Sequence, residues 1–437
     1  MSTTAPGASG PRPWWIPPFL GRVPAEVTSD QVALLGAIAL ALVFEHYDIS
    51  MMSAAAKYIR VSFELPQSEL GRLMSLVSLG ALPSVFVVPF ADRIGRRRLF
   101  LFCIATMSIA TVLTAFAQSA SQFIAAQMIA RAFLIAGSAV AFVIVAEEFP
   151  ASHRGWAIGI LGAFASGGFA VGAALFALVD YLPGTWRALY VFGAAPLALL
   201  PLFRRRVRET GRFQRSEAAA SGAALSGLWR PFAILARDYP RRALTVIAIS
   251  FLMYAGFGSV HLLLGDYVQT DHGWTPGQFS LMWLVGGTLG ILGNTVAGRL
   301  ADRIGRRLVG FALLGSFPLL AFAFYNSSGW VLPLLWIPLV FATTGATTIM
   351  RALVAELFPT ASRGTATGTL GLFQTLGMSA GLAVVSLLTT AGESNAPAAG
   401  IVSFAALAAG ALVFALPETA RRELEDISDV EESSDRR

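Results

Sequence analysis

Ala91-Asp92-Arg93-Ile94-Gly95-Arg96-Arg97 recurs unchanged as Ala301-Asp302-Arg303-Ile304-Gly305-Arg306-Arg307, and each copy stands between two long apolar runs. A second echo accompanies it. Ala146-Glu147-Glu148-Phe149-Pro150, followed by Arg154-Gly155, returns as Ala355-Glu356-Leu357-Phe358-Pro359, followed by Arg363-Gly364. Asp92 and Asp302 are 210 positions apart and Glu147 and Glu356 are 209 apart, so order and spacing agree to within one residue. Motifs that keep register across half a chain mark a duplication. In an apolar chain this is the signature of transporters built from parallel repeats.

Outward from these loops, the 437 residues are 55% apolar and only 13% charged, with a mean hydropathy of +0.65. That is more apolar surface than a single water-soluble core can hide, and it places the chain in a lipid bilayer. Apolar stretches near the ~20 residues needed to cross the hydrocarbon recur twelve times. They fall at about 31–58, 73–91, 99–118, 123–146, 157–180 and 187–203, then 243–265, 279–298, 308–325, 331–355, 365–390 and 398–416. The expected architecture is therefore an all-α integral membrane protein of twelve transmembrane helices in two six-helix bundles. Its parts are a cytoplasmic N-terminal tail (1–30), a first bundle (31–203), a linker (204–242), a second bundle (243–416) and an acidic tail (417–437).

Basic loops stay on the cytoplasmic side of a membrane protein, and here they alternate. Arg93, Arg96, Arg97 and Arg98 follow the second span, and Arg299, Arg303, Arg306 and Arg307 the eighth. The linker carries ten arginines against three acids, while loops 119–122, 266–277 and 391–397 carry no arginine. Both termini are expected in the cytoplasm of a cell whose plasma (inner) membrane holds the protein. The net charge of +6 belongs to these membrane-flanking arginines and calls for anionic headgroups as neighbours, not nucleic acid. Residues 1–29 hold six prolines and no apolar run long enough for a cleavable signal, so the first span serves as the insertion signal. In the linker, apolar side chains among the arginines suggest short helices on the inner headgroup layer.

Several chemistries are excluded. The one lysine, Lys57, lacks the glycines of a phosphate-binding loop, which argues against ATP-driven transport. Four histidines without paired spacing and a single cysteine, Cys103, give no metal site. No serine sits in a Gly-x-Ser-x-Gly elbow, so an enzyme is not expected and no cofactor is implied.

Gly298 to Arg307, the two acidic-Pro-Arg-Gly segments, Trp186-Arg187 and Pro417-Glu418-Thr419 together resemble the major facilitator superfamily over nearly the whole chain. The first loop copy departs from the family pattern at its leading position, where Val88 replaces glycine. The resemblance implies the major facilitator fold and alternating access. It also implies a cytoplasmic gate of interhelical links among Asp92, Arg96, Glu147 and Arg154, mirrored by Asp302, Arg306, Glu356 and Arg363, which hold the outward-facing state. Independently, Gly95 and Gly305 permit a tight reversal between spans. Arg351, late in span ten, is expected to join the gate.

Ionisable residues inside a span are costly and mark a pathway. Glu45 and Asp48 are three apart on the first span and share a face, with His46 beside them. Asp48 lies on the order of 25 Å along its span and Arg131 roughly 12 Å from the opposite end of span four, so they reach similar depth. In the resembled fold both spans line the central cavity, and a pairing of Asp48 with Arg131 would couple protons to substrate, with Arg131 alternatively holding an anion. Tyr254, His261, Trp283, Asn294 and Gln374 are candidates for cavity walls in the second half.

Span five has no proline from Gly155 to Tyr181, unlike the exporters, and span seven lacks the sugar-branch glutamine and serine signature. The acidic first span with Tyr47-Asp48 looks more like metabolite and aromatic-acid proton symporters. The expected function is proton-coupled uptake of a small organic anion, a carboxylate or aromatic acid, by a monomer whose partners are substrate, protons and the bilayer. The alternatives are a proton-coupled drug or metabolite efflux antiporter, sugar or polyol uptake, and a non-transporting membrane sensor.

Overall fold

The computed structural model describes residues 13–18, 22–150, 152–210, 237, 239–290, 292–358, 360–390 and 392–420, with only the backbone at 92 and 360–369. Among these residues the chain is helical throughout, without strands. Twelve helices are long and apolar enough to cross a membrane: Ser29–Ala54, Gln67–Phe90, Arg96–Ala115, Ala120–Glu148, Arg154–Phe176 and Trp186–Arg206, then Pro240–Thr270, Pro276–Ile304, Arg306–Tyr325, Val331–Leu357, Leu370–Leu388 and Ala396–Val413. They are spans one to twelve below.

Local chemistry sets the ends. Span one starts in a capping box, where Thr28 Oγ1 accepts from the Gln31 amide at 3.3 Å and Gln31 Oε1 accepts from the Thr28 amide at 2.9 Å. It stops at Ala54, earlier than its hydropathy suggested, because Ala55 leaves helical geometry (φ −87°, ψ 5°) before a short helix, Ala56–Ser62. Span two starts earlier than expected, at Gln67, because Pro66 precedes a polar first turn that hydropathy does not register. Gly95 and Gly305 adopt nearly the same positive-φ backbone (99° and 111°), so the duplicated loops turn alike. The centre of the arginine-rich linker and the end of the acidic tail lie outside the described residues, and the expected surface helices with them.

The glycines of span five have a packing use. A Cβ on Gly168 would stand 2.3 Å from the Val43 carbonyl oxygen and one on Gly172 1.9 Å from Ser50 Oγ, so spans one and five meet backbone to backbone. Gly298, by contrast, faces open space, and the glycine missing at Val88 is not one that packing demands in the second copy.

The buried apolar side chains form two clusters. One fills the arginine-rich end of the first half, from Ile16 and Leu35 through Phe100 and Ile144 to Phe203. The other runs through the second half and continues into the opposite, arginine-poor end of the first, taking in Met51, Leu70, Phe123 and Trp186. Apolar packing thus joins the halves at the arginine-poor end.

Hydrogen bonds repeat that asymmetry. Arg60 Nε lies 3.0 Å from Asp266 Oδ1 in an ion pair whose side chains are 13% and 2% exposed. Around it, Lys57 donates to the Gln269 carbonyl at 3.0 Å, Gln67 donates to Asp266 at 3.2 Å, and Ser53 donates to the His261 carbonyl at 2.7 Å. Ser75 and Ser379 bond 2.8 Å apart where spans two and eleven cross. Gly265 allows the closest approach, since a Cβ there would stand 2.0 Å from the Ser53 carbonyl oxygen. Every hydrogen bond described between the halves lies toward the arginine-poor end. Among the described residues, the halves are sealed together at that end.

Candidate functional site

The twin loops build the same contact set twice. In the first half Arg96 donates to Glu147 at 3.2 Å, and Thr210 donates to the same carboxylate at 2.6 Å. In the second half Arg306 reaches both oxygens of Glu356 at 2.6 Å, and Thr419 donates to Glu356 at 2.6 Å. Glu209 accepts from the Arg97 amide at 3.2 Å, and Glu418 accepts from the amides of Arg306 and Arg307 at 2.9 and 3.1 Å. Glu418 therefore caps the free amides at the start of span nine. Partial burial alone would raise its pKa, but the amides of Ala420, Arg306, Arg307 and Thr419 outweigh that and hold the carboxyl below its ordinary value.

Of the residues expected at the gate, Arg96 with Glu147 and Arg306 with Glu356 come together, and Asp302 joins Arg306 at 3.2 Å. Among the described residues Arg154 makes no hydrogen bond, and its Nε is buried without a partner. The side chains of Asp92 and Arg363 lie outside the described residues. Each of these pairs stays within one half. Glu209 and Thr210 escaped the sequence reading, yet they carried a signal: Glu209-Thr210 and Glu418-Thr419 repeat at the same 209-residue spacing as Glu147 and Glu356.

The carboxylates of span one both face the interior of the first half. Glu45 is 1% exposed and accepts a short hydrogen bond from Ser138 of span four. A Cβ on Gly137 would come within 3.1 Å of Glu45 Oε1, so the glycine makes room for the acid. Asp48, also 1% exposed, accepts from Thr111 Oγ1 of span three at 3.4 Å, while its Oδ2 has no partner. Arg131 is the cation whose charge acts on Asp48, and Gln127 and Tyr190 border the same group. Yet no nitrogen of Arg131 lies within ion-pair distance of Asp48, and its Nε is likewise buried and unpartnered. Spans one, three, four and six thus enclose an acid and a base that are close but unjoined. Thr111, Gln127, Ser138 and Tyr190 were not foreseen, although Gln127 and Arg131 are four apart on one helical face.

His46 turns the other way. Its Nδ1 is 3.0 Å from the Leu42 carbonyl and its ring meets Phe169 of span five edge-on at 5.4 Å.

In the second half, His261 Nδ1 approaches the Phe257 carbonyl at 2.8 Å and Nε2 lies 3.5 Å from Thr343 Oγ1. Its ring stacks on Phe317 at 6.0 Å and tilts against Trp336 at 5.4 Å. Trp283 of span eight packs on Trp336 at 5.0 Å, so these candidates form one aromatic wall. Tyr254 stands beside Thr347 and Arg351 of span ten. Asn294 accepts from Thr348 at 2.7 Å, and Gln374 is half-buried in span eleven apart from the wall. Among the described residues Arg351 has no acidic partner.

The model for the Major Facilitator Superfamily matches residues 38–307 and 246–433. The chain is 28% identical to the cis,cis-muconate transport protein of Acinetobacter baylyi over 362 residues, 81% of this chain and 86% of that protein. It is 25% identical to the probable 4-methylmuconolactone transporter of Cupriavidus pinatubonensis, over 89% and 91% of the two chains. Among solved structures it is similar to the inward-open xylose transporter XylE of E. coli, with a TM-score of 0.74 at 16% identity, over 92% of this chain and 99% of that one.

Proposed function

The chain belongs to the Major Facilitator Superfamily and is a multi-pass membrane transporter, and from that premise we propose that it takes up a small organic anion, a carboxylate or aromatic acid, together with protons by alternating access. The observation that carries this reading is the unjoined pair in the first half. Asp48 Oδ2 and Arg131 Nε are both buried without a partner, an arrangement that costs free energy and is tolerated where groups exchange partners. A proton on Asp48 removes the need for Arg131; its loss draws the two together, and the shift of span one against span four is passed to the halves. Glu45, one turn away and bonded to Ser138, is the second acid of the relay.

We assign the arginine-rich end to the cytoplasm, because retained positive charge follows that side. The protein is then inward-facing, with the Arg60–Asp266 pair as its outer latch. The Arg96–Glu147 and Arg306–Glu356 pairs act as struts that fix each loop to its own half, so that Asp92, Arg154, Asp302 and Arg363 meet the opposite half when the cytoplasmic side closes. The organic-acid class is supported by the muconate and muconolactone transporters that the chain resembles.

Proteoliposomes test the reading. With an acidic exterior, a panel of cis,cis-muconate, benzoate, xylose and a cationic dye should give acid-dependent accumulation and alkalinisation outside. Proton movement only with the cationic dye, or none with either acid, overturns it.

A further inference from the structure

Arg351 is an exposed cation inside a span and, among the described residues, makes no hydrogen bond or ion pair. An arginine facing lipid at this depth, roughly 9 Å from the loop end of span ten, is strongly disfavoured, so its exposure means a water-filled space. The neighbours say which space. Thr343, Thr347 and Arg351 are spaced by four and share one face of span ten, while Tyr254 and His261, seven apart, share one face of span seven. The two faces meet: His261 Nε2 lies 3.5 Å from Thr343 Oγ1, and Tyr254 lies beside Thr347 and Arg351. Arg351 therefore lies on the face of span ten that meets span seven, exposed at its loop end.

We propose that Arg351 and Tyr254 form the cradle that binds the substrate's carboxylate in the second half, a site that rests on the organic-anion reading above. A guanidinium with no protein acid to satisfy it offers two parallel N–H donors to a carboxylate, and the Tyr254 hydroxyl supplies a third. Thr347 donates its own hydroxyl to the Thr343 carbonyl at 2.8 Å. About two turns further along span seven, His261 with Trp283 and Trp336 presents an aromatic wall to a planar substrate body. Arg131 has a different task, since it stands inside the first half against Asp48. Anion binding and proton coupling are thus divided between the halves.

Binding of cis,cis-muconate and of its dimethyl ester, measured by tryptophan fluorescence on the purified full chain in nanodiscs, tests the cradle. The wild type should bind the acid and not the ester. Arg351→Gln should weaken acid binding roughly 10- to 100-fold, the range for losing bonds to a charged group. Arg351→Lys should lose less, and Tyr254→Phe less again. Arg351 bonds to none of the described residues, so the unliganded melting temperature of Arg351→Gln should match the wild type. Unchanged muconate affinity in Arg351→Gln, while proton-coupled uptake of the acid persists, overturns the cradle and spares the transport reading. Failure of the wild type to bind or move muconate or benzoate overturns both.

Discussion

Arg60 of the first half and Asp266 of the second meet at 3.0 Å, in the one cross-half ion pair among the described residues. Asp266 is nearly fully buried and also accepts from Gln67 and Thr270, so its charge is held by three donors. Removing one partner of a buried pair costs about 3–5 kcal/mol, because the other is left uncompensated. That is close to the ~5.5 kcal/mol that carries a two-state equilibrium from one extreme to the other.

Arg60→Ala should therefore open the sealed end. A cysteine at Ser75, on the seam with Ser379, reports this against a silent background, since Cys103 is fully buried. Labelling of Ser75→Cys by a membrane-impermeant maleimide should accelerate at least about tenfold when Arg60→Ala is added. Equal rates would remove the latch from the mechanism.

Asp48→Asn should abolish accumulation driven by a proton gradient and leave counterflow of substrate intact, because an amide keeps the shape of the carboxylate and loses the proton. Uptake should settle at equal concentrations on the two sides. Continued uphill accumulation in this variant would take Asp48 out of the coupling path.

Glu418→Gln should weaken the attachment of the tail to span nine by about 1 kcal/mol at neutral pH, the usual worth of a capping group. The sign of its pH dependence follows from a folded pKa held below the ordinary 4.5. The stabilisation is complete above that ordinary value and disappears as pH falls through the lower folded value. Thermal unfolding of wild type and variant should thus differ at pH 7 and converge in acid; a gap that widens with acid contradicts the capping role.

Gly305→Ala should destabilise the second loop by roughly 1–3 kcal/mol, since a φ of 111° is a strained setting for a residue with a Cβ. The added methyl would also stand 2.8 Å from Glu418 Oε2. Melting of the variant alone and combined with Glu418→Gln separates the two costs: part of the loss should persist in the double variant. A neutral Gly305→Ala would show that the loop does not need its turn.

Twelve spans, their duplication and their alternation of charge were legible in the chain, because each is a local property. A span must be apolar over its own length, and a duplicated loop must repeat its own residues. The shared face of Glu45 and Asp48 was legible for the same reason, helical spacing. Even the second set of loop contacts, Glu209 and Glu418, lay open to anyone who tracked the repeat to its last turn.

What the chain alone did not disclose is where the halves differ and how they lean. Arg60 and Asp266 are 206 positions apart, have no echo in each other's half and gain meaning only when spans one and seven meet at Gly265. The sequence reading passed over Arg60, and it expected Arg351 to join the gate. Whether a buried cation is paired or free depends on how helices from distant segments rotate toward one another, and periodicity along one helix carries no record of its partner's rotation. Sequence therefore determined the machine's parts and their repetition. Tertiary packing decided where the halves bond to each other, which acids and bases remain unjoined, and which span arginine is left exposed.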